Sequence, residues 1–261
     1  MSNLGLAVRD SSTMLRRNLL HARRYPSLTL NLLLTPVMLL LLFVYVFGDA
    51  MSAGIGGGDR SDYVAYIVPG LLLMTIGSTT IGTAVSVSND MTEGIIARFR
   101  TMAIHRGSVL IGHVIGSVVQ SIMSVLLVGA VGLAIGFRSA DATALEWLAA
   151  FGLVVFFTVA LTWIAVGMGL VSPNAEAASN NAMPLIFLPL ISSTFVPVDS
   201  MPGWFQPVAE YQPFTPAVET LRGLLLGTEI GHNGWLALVW CLALTALGYF
   251  WSTSKFNSDP K

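Results

Sequence analysis

Charged residues and cysteine are scarce in this sequence. Asp, Glu, Lys and Arg make up 10% of its 261 residues, whereas soluble domains average about 25%. So few charges would cover a soluble domain poorly. A hydrophobic content of 54% and a net charge of −1 also exclude a disordered chain and a general nucleic-acid-binding surface. Cys241 is the only cysteine, which excludes an intrachain disulfide and a cysteine-based zinc site. The remaining class is an all-α polytopic membrane protein.

Motifs for catalysis and ATP hydrolysis are absent from the sequence as well. It contains no GxxxxGKS or GxxxxGKT phosphate loop, no GxSxG and no HExxH, and its four histidines lack metal-ligand spacing. Its long apolar runs carry no Asp, Glu, Lys or Arg away from their ends, whereas proton- and ion-coupled carriers usually place such residues at mid-membrane. These absences argue against a membrane enzyme and against a secondary transporter, and they favour energy supplied by a partner protein.

Six long runs of the sequence lack charged side chains. Each reaches or exceeds the roughly 20 residues that a helix needs to cross a bilayer, and none alternates as β-barrel strands do. We predict six transmembrane helices in a single permease domain, 1–261. The runs are 28–48, 63–89, 107–137, 147–175, 177–198 and 235–254.

The basic residues predict the orientation in the membrane. With six spans, ten Lys and Arg fall on one side, in the N-terminal segment, the second loop and the C-terminus. Only Arg60, Arg138 and Arg222 fall on the other. Cytoplasmic loops carry the excess of Lys and Arg, so we expect both termini to be cytoplasmic in a multi-pass protein of the cell membrane.

The N-terminal segment, 1–27, contains five arginines with leucines interspersed. This pattern is typical of an amphipathic helix that lies on the cytoplasmic membrane surface. The alternative is a basic tail that only sets the topology.

The cytoplasmic loop 89–106 has an apolar stripe. On a helix, Met91, Ile95, Phe99 and Met102 fall within about 80°. A short helix of this kind suits the groove of a cytoplasmic partner. An interfacial helix on lipid headgroups fits the periodicity equally well.

The outer segment 196–234 holds five of the twelve prolines, together with Trp204 and Phe205. Thr215 is the expected N-cap and Gly227 the expected stop of a helix over 216–226. That helix would be about 16 Å long, too short to cross. We predict a re-entrant helical hairpin in which Glu219 and Arg222, spaced i,i+3, pair. The alternative is an interfacial loop anchored by Trp204.

Two stretches of the sequence resemble a known family. The first is DMTEGIIARFR at 90–100, which continues to Arg106. The second comprises FVPVDSMPGWFQ at 195–206, QPFTP at 212–216 and LRGLLLG at 221–227. Together with the six runs, they resemble the daunorubicin-resistance (DrrB-like) permeases, the membrane subunits of one class of ATP-binding-cassette (ABC) exporters. Ala103 stands where that family usually has proline, and Gln212 where asparagine is common.

The resemblance implies a division of labour. Two permeases, identical or related, would form the path, and two separate ABC ATPase subunits would bind ATP and magnesium. This chain itself would hold no cofactor or metal. The cargo would be hydrophobic drugs or lipid-like molecules, as in antibiotic resistance. The alternatives are a polysaccharide or glycolipid exporter of a related family and a non-transporting membrane scaffold. The residues expected to couple to the ATPase are Asp90, Glu93, Ile95, Arg98, Phe99, Arg100 and Met102.

We further predict a cargo path at the dimer interface, lined by spans one, two and five. Hydroxyl and amide side chains on apolar helices could line it, although interhelical hydrogen bonding would explain them equally well. The outer hairpin would gate release through Trp204, Phe205, Glu219 and Arg222. The expected path residues are Thr75, Ser78, Thr79, Thr83, Asn180, Asn181 and Ser192.

Overall fold

The structure, a computed structural model, describes residues 26–48, 50, 60–92 and 106–258, and these residues contain helices and no β-strand. The expected all-α class is confirmed for them. The helices are α1 (Pro26–Tyr45), α2 (Arg60–Thr92), α3 (Arg106–Ala134), α4 (Ala144–Val171), α5 (Ala175–Ala182), α6 (Pro184–Leu190), a 3-10 turn (Val198–Ser200), α7 (Gln206–Tyr211), α8 (Phe214–Leu226) and α9 (Asn233–Ser258).

Among the residues that the structure describes, four helices are long and apolar enough to cross a membrane: α2, α3 from Leu110 onward, α4 and α9. Helix α1 is 20 residues long, and its part Leu34–Tyr45 is apolar. The count of six spans is not confirmed, because the fifth run forms the two short helices α5 and α6 instead of one long helix. Pro184 and Pro189 each lack the N–H that a continuous helix would use.

Helices α2 and α4 form the centre of the fold. Helix α2 packs against α1, α3, α4, α5, α6 and α8, and α4 packs mainly against α2 and α9. Phe157 of α4 and Phe214 of α8 are fully buried and meet edge to face, with ring centroids 5.0 Å apart. In contrast, α3 and α9 turn apolar side chains such as Leu126 and Leu242 outward. Such faces fit lipid or another subunit better than water.

Two glycines allow close approach to the central helices. A Cβ at Gly77 of α2 would overlap the carbonyl oxygen of Leu185 in α6, and one at Gly169 of α4 would overlap that of Ala84. Glycine therefore brings backbone directly against backbone at both crossings.

Helix α8 has 13 residues and ends as expected at Gly227, which adopts the left-handed conformation with φ +66°. Its start differs from the prediction. The helix begins at Phe214, and Pro213 occupies the N-cap position without a side-chain bond. The prediction of Thr215 as N-cap is therefore wrong, because the Thr215 hydroxyl bonds to other segments.

Candidate functional site

A buried arginine links three segments at one end of the bundle. Arg222 of α8 is 8% exposed. Its Nε donates to the Tyr66 carbonyl oxygen of α2 at 3.1 Å, and its second terminal nitrogen donates to the Ser193 carbonyl oxygen at 2.9 Å. The other terminal nitrogen donates to Glu219 Oε1 at 2.6 Å. The expected i,i+3 pair thus forms, but within a larger network.

Tyr66 completes this network. The Arg222 guanidinium lies 3.7 Å from the centroid of the Tyr66 ring, and the Tyr66 hydroxyl donates to the same Ser193 carbonyl at 2.9 Å. A guanidinium in a buried site is costly unless its donors are satisfied and its charge is compensated. Here two carbonyls and a carboxylate accept the hydrogen bonds of Arg222, and the carboxylate and the aromatic face compensate its charge. Arg222 therefore holds α8 against α2 and the turn that follows α6.

A second polar cluster fixes the start of α8. The Thr215 hydroxyl donates to the Ala209 carbonyl and accepts from the Ser193 backbone N–H at 3.2 Å. The Gln212 side chain donates to Thr215 Oγ1 at 3.2 Å and accepts from the Phe214 N–H at 3.0 Å. The QPFTP motif thus closes the turn between α7 and α8 with side-chain hydrogen bonds. Neither Thr215 nor Gln212 belongs to the predicted site.

Trp204 and Phe205, the predicted aromatic part of the gate, lie before α7. Trp204 is 80% exposed, Phe205 is half-buried, and their ring centroids lie 5.4 Å apart. Neither ring belongs to the Arg222 network. Their role in gating stays a prediction.

The predicted path residues of α2 are mostly buried, and their hydroxyls already have partners. Thr79 shares a hydrogen bond of 2.6 Å with Ser121 of α3, and Thr83 donates to Ser117 of α3 at 2.7 Å. Thr75 and Ser78 donate to carbonyls of α2 itself. Interhelical hydrogen bonding therefore describes Thr79 and Thr83 in a single copy of the chain. A path between two copies stays a prediction.

The remaining predicted path residues lie in the broken fifth run. Asn181 donates to Ser172 Oγ at 2.9 Å, and Asn180 is exposed. Ser192 is buried and donates to the Pro189 carbonyl at 2.7 Å. Ser192 precedes Ser193, whose carbonyl accepts from Arg222, so it lies close to the Arg222 network. The two asparagines are not part of that network.

At the other end of α2, Asp90 meets His113 of α3. Asp90 Oδ2 lies 2.9 Å from His113 Nε2, and both side chains are largely buried. Asp90, predicted as part of an ATPase contact, therefore contacts a neighbouring helix. The other predicted coupling residues lie outside the described residues, as does the segment 1–25. Those coupling residues are Glu93, Ile95, Arg98, Phe99, Arg100 and Met102.

The sequence was compared with protein families. Residues 10–226 match the ABC-2 type transporter family. The chain belongs to this family. The match covers both motif-bearing stretches up to Leu226, the last residue of α8.

Individual relatives agree with this assignment. The chain is 28% identical to the "Daunorubicin resistance ABC transporter permease protein DrrB1" of Streptomyces coeruleorubidus, over 94% of this chain and 84% of that protein. It is 25% identical to the "Probable doxorubicin resistance ABC transporter permease protein DrrC" of Mycobacterium tuberculosis, over 70% and 68%. It is 22% identical to the "Putative transport permease ycf38" of Cyanophora paradoxa, over 88% and 77%. The resemblance to drug-resistance permeases is confirmed.

Across residues 26–48, 50, 60–92 and 106–258, no three His, Cys, Asp or Glu side chains group as metal ligands. The polar side chains described above bond to one another and to backbone carbonyls. Their arrangement serves helix packing and positioning.

Proposed function

We propose that this chain is the permease subunit of an ATP-driven exporter of hydrophobic drugs or lipid-like molecules. The observation that carries the proposal is the ABC-2 match over residues 10–226. The described part of the chain contains four long apolar helices, which supports it. The names of two relatives, which are resistance permeases for daunorubicin and doxorubicin, support the cargo class. Two copies of the permease, or this chain and a related one, work with two ATPase subunits that bind ATP and magnesium.

The proposed topology has six crossings with both termini in the cytoplasm. Helices α1, α2, α3, α4 and α9 make five of them, and the broken pair α5–α6 makes another. Irregular backbone at membrane depth is tolerated where protein buries it, and the turn after α6 is buried at Ser192, Ser193 and Thr194. The 13 residues of α8 are too few to cross, which supports a re-entrant hairpin on the outer side.

The loop 89–106 is the proposed ATPase contact. It leaves the end of α2 and returns at the start of α3, and the Asp90–His113 contact ties these helices together beside it. A movement of the ATPase against this loop would therefore displace α2 and α3 together. Asp90 acts in this scheme as a positioning residue, whereas Phe99 and its neighbours make the contact.

A substitution in the loop tests this assignment. Phe99→Asp places a charge in an apolar groove, which is unfavourable unless the charge is paired. We expect the variant to insert normally but to lose co-purification with the ATPase and drug-stimulated ATP hydrolysis. Thr101→Asp, on the opposite side of the predicted helix, is the control and should keep both. If Phe99→Asp assembles and transports normally, the loop is not the contact.

Reconstitution tests the function as a whole. The permease and its ABC ATPase are purified together, placed in proteoliposomes, and assayed for ATP hydrolysis with daunorubicin or added lipids. We expect a stable complex whose hydrolysis rises with cargo. A chain that forms no complex with an ABC ATPase would instead be a scaffold. A complex stimulated only by glycolipid or polysaccharide would keep the exporter and overturn the cargo class.

A further inference from the structure

An apolar crevice lies on the side of the bundle. Its volume is about 300 Å³, and α2, α3, α4 and α8 contribute to its walls. The side chains that line it are aliphatic or aromatic, and several are exposed, so the crevice opens outward. Among them are Ile122, Leu126, Leu133, Phe137, Trp147 and Leu225.

The length of the crevice matches one leaflet of a bilayer. Its lining on α3 runs from Ile122 to Leu133, which is about 16 Å at 1.5 Å per residue. Half of a hydrocarbon core of about 30 Å is close to this length. The volume is at the small end of ligand pockets, which run from about 300 to 1,000 Å³. One acyl chain fits these dimensions.

A guanidinium stands at the end of this crevice. Arg138 follows α3, and one of its terminal nitrogens donates to the carbonyl oxygens of Leu133 and Phe137 at 2.8 and 2.9 Å. Leu133 and Phe137 both line the crevice. Arginine carries five N–H groups in a fixed fork, and the two bonds to carbonyl oxygens come from one terminal nitrogen of Arg138.

The charge of Arg138 has no carboxylate partner among the residues that the structure describes, since none lies within 4 Å of its guanidinium. The Glu146 carboxylate in the first turn of α4 accepts from the backbone N–H and hydroxyl of Thr143, at 2.6 and 2.8 Å. Arginine binds phosphate with paired donors. An anionic headgroup at the membrane surface would complement Arg138.

We propose that this crevice binds one anionic phospholipid, with an acyl chain between α3 and α4 and the phosphate on Arg138. The apolar lining selects the chain, and the guanidinium selects the charge. The lipid lies in the leaflet on the side of the loop that joins the end of α3 to the start of α4. The site is separate from the Arg222 network and does not depend on the identity of the cargo.

Photo-crosslinking of the full chain tests the proposal. Leu133 is replaced by p-benzoylphenylalanine, and the protein is placed in vesicles of phosphatidylcholine with a minor share of phosphatidylglycerol. The mass of the illuminated protein identifies the adduct. We expect phosphatidylglycerol adducts in excess of its share of the vesicle. The same probe at Leu247, an exposed leucine of α9, should report the bulk composition.

Two variants separate the headgroup from the chain. A basic residue near an anionic surface is worth about 1 kcal/mol, or roughly fivefold, so Arg138→Gln should lower the enrichment about fivefold. Arg60→Gln, an exposed arginine at the start of α2, should keep it. Ala130→Phe, at an exposed position of the crevice wall, should reduce all lipid adducts at Leu133.

Several outcomes would overturn the site. Adducts at Leu133 that follow the bulk composition would exclude headgroup selection, and adducts unaffected by Ala130→Phe would exclude a chain in the crevice. A crosslinked dimer would mean that a second copy covers this face. An internal crosslink to another segment of the same chain would mean that the protein fills the crevice itself.

Discussion

The two ends of α2 are held in different ways. Near its start, Tyr66 belongs to a network in which Arg222 contacts two carbonyls, a carboxylate and a ring. Near its other end, Asp90 meets His113. Tyr66 and Asp90 are 24 positions apart, or about 36 Å along the helix. The first end is bound to two other segments by a charged network. At the second end, Asp90 contacts His113 of α3, and the Ser88 hydroxyl donates to the Ser172 carbonyl that follows α4.

This difference refines the idea of a gate. Because Arg222 binds α8 to α2 and to the turn after α6, the hairpin should move together with α2 and not as an independent lid. Movement generated at loop 89–106, the proposed ATPase contact, would then reach the opposite end of the bundle through α2 as a rigid element. The Arg222 network would transmit such a movement, and disrupting it should damage both folding and transport.

The largest expected effect comes from Arg222→Met. Loss of the guanidinium leaves the Ser193 and Tyr66 carbonyls without their charged donor and Glu219 without its partner. Breaking a fully buried ion pair costs about 3–5 kcal/mol. The Glu219 side chain is 31% exposed, so we expect the loss to lie at or below the lower end of this range. We expect a sharply lower yield of folded protein and a large fall in thermal stability in detergent.

Two further variants show whether the fork geometry of Arg222 matters. Arg222→Lys keeps the charge but cannot reach two carbonyls and a carboxylate together. Its thermal stability should therefore lie between that of Arg222→Met and that of the unchanged protein. Arg138→Gln removes two hydrogen bonds that an exposed arginine donates to backbone carbonyls, so it should lower stability less than Arg222→Met. Equal stability of Arg222→Met and the parent would show that the network does not hold α8.

A smaller effect is expected where α2 meets α6. Gly77→Ala places a Cβ against the Leu185 carbonyl oxygen, and the backbones must separate. Overpacking of this kind costs about 1–3 kcal/mol. Gly82→Ala on the same helix is the matched control, since nothing lies within 4 Å of its Cβ position. It should be neutral or stabilising. Equal melting temperatures of the two variants would contradict the close contact.

The Asp90–His113 contact should contribute less again. Pairs in contact couple by about 0.5–3 kcal/mol in double-mutant cycles. We expect the cycle of Asp90→Asn and His113→Gln to give a coupling at the lower end of this range. We also expect each single variant to reduce the cargo-stimulated rate of ATP hydrolysis clearly while it changes the melting temperature little. Strict additivity of the two changes would mean that the pair does not act as a unit.

Part of this architecture follows from the sequence, and part does not. Uncharged runs predict long helices because only apolar side chains suit lipid, and α2, α3, α4 and α9 agree. The Glu219–Arg222 pair follows from local i,i+3 spacing. The partners Tyr66 and Ser193 lie 156 and 29 positions from Arg222, and no local pattern links them. Pro184 lacks the N–H of a continuous helix, but membrane helices often tolerate proline. The sequence alone therefore does not predict the break at Pro184.

The smallest stability effect should distinguish the two explanations of the polar residues on α2. Thr79→Val removes the hydroxyl that contacts Ser121, and interhelical hydrogen bonds in membranes average about 0.6 kcal/mol. Ser121→Ala is the matched change on the other side of the bond. If the hydroxyls serve packing alone, both variants should lose about this much stability and keep the parent's drug-stimulated ATP hydrolysis. If Thr79 also faces cargo, Thr79→Val should alter the concentration of drug that half-maximally stimulates ATP hydrolysis, and Ser121→Ala should not. Equal and unchanged stimulation in both variants would remove Thr79 from the predicted path.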